Sequence, residues 1–71
     1  MSDYVKLYAD TFNLRIVNTL HQVILFEAND IVGYISKSEP KYFNYKHRET
    51  WSACKASDLI SAVLNSIPAH G

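Results

Sequence analysis

The sequence predicts an α+β fold: a small antiparallel sheet of three to four strands packed against one C-terminal helix. Three observations carry this. The apolar residues Ala53, Ala56, Ile60, Val63 and Ile67 recur at steps of three and four, the spacing of one helical stripe, and Leu59 and Leu64 widen it. Ahead of them lie short segments that alternate or run apolar, as half-buried and doubly covered strands do. The gaps between those segments are too short for parallel crossovers, so the strands pair as hairpins or a meander.

Ser2 to Asp10 reads as a strand or extended arm, since Val5, Leu7 and Ala9 alternate; a short helix with Val5, Tyr8 and Phe12 on one side is the alternative. Phe12, Leu14 and Ile16 alternate with Asn13 and Arg15, which predicts a half-buried strand. Asn18 and Thr19 suit a turn. His21 to Ala28 contains the unbroken run Val23 to Phe26, a strand covered on both faces. A helix across Leu14 to Glu27 is disfavoured by its β-branched and aromatic residues.

Asn29-Asp30 turns the chain into Ile31 to Ser36, because both residue types tolerate the left-handed backbone of tight hairpins. Gly33 within that strand marks a bulge or a close approach. Lys37 to Pro40 is a polar connection. Lys41 to Arg48 alternates again, with Phe43, Tyr45 and His47 on one face and Tyr42, Asn44, Lys46 and Arg48 on the other. Its charges suit an edge strand. Ser52 caps the closing helix, Trp51 folds over Ala56 as a staple, Pro68 stops it, and Ala69 to Gly71 is a short tail.

A chain of 71 residues is one domain. No repeat, low-complexity tract or linker divides it. A domain this small buries about 60% of its unfolded surface. Its core alone supplies roughly 3–5 kcal/mol. Cys54 is the single cysteine and forms no internal disulfide, so self-association, as a homodimer, is the supplement to be expected beside a well-packed monomer. Seven basic and seven acidic residues cancel, which removes any global attraction to nucleic acid or anionic membrane and leaves only local patches. The run Val23 to Phe26 is too short to span a bilayer, and no cationic segment precedes an apolar signal core. One free thiol fits a reducing, cytoplasmic compartment.

The carboxylates Asp3, Asp10, Glu27, Asp30, Glu39, Glu49 and Asp58 are scattered and read as solvated surface, so no enzyme is expected. His21, His47, Cys54 and His70 match no zinc spacing, so neither metal nor cofactor is expected. Gly33 and Gly71 cannot build a glycine-rich nucleotide loop. Cys54 would sit in the first turn of the closing helix, where backbone N–H groups favour a thiolate. His47 could serve it as a base only if the fold brings the two together.

The strongest lead is Lys41 to Arg48, with Lys37 nearby. Rings beside cations stack bases and neutralise phosphates in single-strand binders. A polar edge strand explains the same pattern without a ligand. Tyr34 and Trp51 are candidate anchors for a protein interface. The candidate binding residues are therefore Tyr34, Lys37, Lys41, Tyr42, Tyr45, Lys46, Arg48 and Trp51.

The order Gly33-Tyr34-Ile35, then Tyr42-Phe43-Asn44-Tyr45, then Trp51 and Asp58-Leu59-Ile60 resembles small uncharacterised proteins encoded by phages and prophages, over Ile31 to Ile67. The resemblance implies a compact accessory or inhibitor protein that binds and blocks a host component, with no catalytic residue to carry over. The function expected is a non-enzymatic binding module that occupies a protein surface. Nucleic-acid or nucleotide binding through Lys41 to Arg48 is the alternative.

Overall fold

The computed structural model describes residues 3–66. The chain runs α1 (Asp3–Thr11), β1 (Arg15–Asn18), β2 (Gln22–Glu27), β3 (Asp30–Ser36), β4 (Tyr42–His47), β5 (Thr50–Lys55), a 3-10 turn (Ala56–Asp58) and α2 (Leu59–Ser66). The five strands form one antiparallel meander in chain order. The α+β class and the antiparallel pairing stand. The expected three to four strands and single helix do not: the sheet has five strands, and a helix lies at each end of the described chain.

Both corrections have a physical reason. Asp3–Thr11 takes the helical alternative because Val5 and Ala9, one turn apart, both reach zero exposure in the core. Tyr8 follows on the same side, its ring edge-on to Phe43 with centroids 5.4 Å apart. The helix ends in a Schellman motif. Asn13 takes a left-handed φ of 57°, the Leu14 N–H donates to the Ala9 carbonyl (2.8 Å), and the Asn13 N–H donates to that of Asp10 (3.4 Å). Phe12 thus belongs to the helix terminus, and the strand begins only at Arg15.

The other correction falls on the expected closing helix. Its first turns are β5, so Ser52 is no cap and Trp51 no staple. β4 consequently lies inside the sheet, and β5 is the edge. The two-residue turn between them places Arg48 at φ 50° and Glu49 at φ 69°. The helical stripe survives from Ala56 onward. Ala56, Leu59 and Val63 are buried and Ile60 is half-buried, while Leu64 is exposed and Ala53 lies on the strand. Ile67, the Pro68 stop and the tail lie outside the described residues.

The two helices pack on each other and on one sheet face, over Val23, Leu25, Ile35 and Phe43. Leu25 pairs with Gly33 but Phe26 pairs with Ile31, so Val32 is the extra residue of a bulge, and it leans into the core. Gly33 meets the other half of its expectation as well. A Cβ there would lie 2.5 Å from Cζ of Phe43, whose ring is fully buried. Gly33→Ala is therefore expected to overpack the core and cost about 1–3 kcal/mol in a denaturant melt. A melt unchanged from the parent would contradict that close approach.

Candidate functional site

Directly paired residues share a sheet face, and successive residues alternate between faces. With one face under the helices, the register sends the other set outward. None of the described segments crosses that second face. Its middle row is Val17, Ile24, Tyr34, Asn44 and Ala53, one residue from each strand.

Tyr34 and Trp51 pack against each other there, centroids 5.4 Å apart and planes tilted by 57°. With Ile24, Ile31 and Gln22 they line a shallow groove of about 220 Å³. Trp51 and Tyr42 are each 45% exposed and Ile31 is 41% exposed, so the apolar character reaches the surface.

Three rings on this face each stand opposite a cation. Arg15 pairs with Phe26, and its guanidinium carbon lies 4.9 Å from the ring centroid. Lys46 pairs with Trp51, and Tyr42 with Lys55. Among the described residues, the strand positions of this face hold no carboxylate. Glu27 and Asp30 pair with each other on the helical side, while Asp3, Asp10 and Asp58 belong to the helices and the 3-10 turn. Glu49, in the β4–β5 turn, reaches Lys46 at 3.6 Å but is itself exposed, so the contact is a weak, screened one. Glu39 lies in the β3–β4 turn and Lys6 on α1, so the charge asymmetry is one of the strand positions only.

At one end the face opens into a hollow of about 480 Å³ beside Tyr4, Pro40, Lys41, Tyr42, Lys55 and Ala56. Its floor is tied by the Ala56 N–H donating to the Lys41 carbonyl at 2.7 Å. Two lysines and two tyrosines share this hollow.

Of the candidate binding residues, the structure brings Tyr34, Tyr42, Lys46 and Trp51 onto the open face and Lys41 to its end. It separates the others. Tyr45 points to the helical side, beside Tyr8 and Cys54. Lys37 sits in the turn after β3, and Arg48 at the β4–β5 turn, where the strand alternation has ended. The residues the sequence did not single out are Arg15, Phe26 and Lys55. Arg15 and Phe26 carried no motif, and Lys55 was hidden in a segment read as helix.

Cys54 reverses its expectation. It lies in β5 opposite Phe43, not at a helix start. Burial, and then the Asp58 carboxylate, push its thiol above the ordinary value and disfavour a thiolate. His47 pairs with Thr50, four residues or about 13 Å along the strand, beyond hydrogen-bond reach. Alkylation of Cys54 by iodoacetamide at neutral pH is expected to run slower than that of free cysteine and to speed up in Asp58→Asn. A rate that has already levelled off at neutral pH would refute this. The same surroundings raise the Tyr8 hydroxyl, by burial first and then by Cys54, Tyr45 and Glu27.

Among the described residues, no three His, Cys, Asp or Glu side chains gather where they could hold a metal ion. No described helix is long and apolar enough to cross a membrane. Compared with known proteins, the chain matches no family model, no curated protein and no solved structure, so the open sheet face is assigned on its own geometry.

Proposed function

We propose that this chain is a binding module that works through the uncovered face of its sheet. One observation carries the reading. The uncovered face holds an exposed aromatic and aliphatic centre and three cations, without a strand carboxylate, while the other face is filled by two helices. Exposed Trp and Tyr on a rigid element give contact area at low ordering cost, and interface energy concentrates on such residues. An accessory protein of the phage-encoded kind would act in this way, by occupying a surface.

Site-resolved crosslinking tests this. A photoreactive residue replaces either Ala53, exposed on the open face, or Lys6, exposed on α1. Irradiation is done in the cells that make the protein. A discrete adduct from position 53 and none from position 6 is the expected result. Adducts from position 6 alone, or from neither, would overturn the reading.

A further inference from the structure

We infer that the occupant of the open face is a single-stranded nucleic acid, which rests on the open face being the binding surface. The inference stands on the three ring–cation pairs Arg15–Phe26, Lys46–Trp51 and Tyr42–Lys55. Trp51 and Tyr42 each offer an exposed ring for a base, with Lys46 and Lys55 across from them for the adjoining phosphates, while at Arg15–Phe26 the guanidinium already lies over a half-buried ring and offers its charge alone. Single-strand binders combine the same two elements: rings that stack any base, and a positive groove that follows the backbone.

The dimensions agree. Five strands spaced about 4.8 Å apart span roughly 19 Å. Open sheets of comparable size hold about two or three stacked bases. Lys46 and Lys55 mark the two ends of the β4–β5 pair, with Trp51 and Tyr42 beside them. The hollow lined by Lys41, Lys55, Tyr4 and Tyr42 continues the path past the sheet end and gives a further phosphate a place.

Charge argues against a second copy of the chain. A symmetric stack of two open faces would bring six strand cations, Arg15, Lys46 and Lys55 from each copy, into one interface with no strand carboxylate to answer them. An isologous interface must be self-complementary, and the like charges of this face count against it. An acidic protein surface would also answer the cations, and crosslinking of position 53 to a protein is the outcome that would select it. A duplex hides its bases and offers the rings nothing to stack on.

The test uses the full chain with fluorescein-labelled 12-nucleotide oligothymidine and oligouridine and a duplex of equal length, read by anisotropy. The expected result is binding of the single strands in preference to the duplex. With three cations engaged at roughly 0.7 each, log affinity should fall with log salt at a slope of about −2. Trp51→Ala and Tyr42→Ala should each weaken binding about five- to a hundred-fold. The triple variant Arg15→Ala, Lys46→Ala, Lys55→Ala should flatten the salt slope, while Lys6→Ala on the helical side should change nothing. Circular dichroism of each variant separates lost binding from lost fold, and Trp51→Phe, which keeps a ring, should recover most of the affinity.

Failure to bind either single strand at about 100 µM protein in low salt would overturn the inference. So would equal binding of the duplex, or folded Trp51→Ala binding as the parent does. If position 53 then crosslinks to a protein, or sedimentation shows a dimer that Trp51→Ala disperses, the open face remains the binding surface and only its occupant changes. If position 53 crosslinks to nothing, both readings fall.

Discussion

Phe43→Ala is expected to remove most of the stability of this chain. The ring is fully buried in the central part of the sheet, beneath both helices, and is the largest such side chain. Tyr8 meets it edge-on, and the space above Gly33 is filled by its Cζ atom. Truncating a buried Phe costs about 3–5 kcal/mol, from lost transfer energy and from the cavity left behind. A domain of this length has roughly 4–10 kcal/mol in total. The melting temperature should therefore fall by about 12–40 °C, given some 4–8 °C per kcal/mol at this size. Tyr42→Ala, one residue away on the exposed face, should move it by a few degrees. A Phe43→Ala protein melting within about 5 °C of the parent would show that the ring does not fill the core as described.

Val5→Asp is expected to be as damaging, and it tests the N-terminal helix directly. Val5 is wholly buried between α1 and the sheet. A carboxylate there is desolvated among the buried apolar side chains of the core. Breaking a core with an unpaired charge costs several kcal/mol, on the order of 3–5. The sign of its pH dependence is fixed by burial, which raises the carboxyl pKa in the folded state above the unfolded value of about 3.9. Stability is then lost as pH rises through that unfolded value and is partly regained below it. Lys6→Asp, on the exposed side of the same turn, should stay within about 0.5 kcal/mol of the parent. Equal effects at positions 5 and 6 would mean that the segment is a loose arm and not part of the core.

What was legible in the residues followed from strong local patterns. The β2–β3 hairpin was readable because Val23 to Phe26 and Ile31 to Ile35 flank residues suited to a turn; the turn itself is Ala28-Asn29, with Ala28 at φ 55°. The faces of β4 were readable by alternation, and Phe43 is buried while Tyr42 is exposed, as that alternation requires. Gly33, with no side chain where strands normally carry one, read as a bulge or a close approach, and the structure has a bulge at the neighbouring Val32 and the Phe43 ring against Gly33 itself. The helical stripe of α2 was readable from Ala56 onward.

The missing strand and the missing helix had no such signal. Arg48 and Glu49 occupy left-handed backbone that Asn or Gly would normally announce, so nothing in their identity marks a hairpin. Val5, Leu7 and Ala9 alternate like a strand, yet Val5 and Ala9 also lie one helical turn apart, and local spacing does not choose between them.

By itself the sequence determined the α+β class, the antiparallel pairing and which side of β4 faces inward, because each depends on neighbours a few residues away. The tertiary structure alone decided that Asp3–Thr11 is a helix, that Thr50–Lys55 is a fifth strand, and that Arg15, Lys46 and Lys55 share one face with Phe26, Tyr42 and Trp51. Those outcomes depend on what covers the sheet. α1 and α2 together cover the face that carries Val23, Leu25, Ile35 and Phe43, and the residues left on the far side are brought together by strand register across some forty positions of chain.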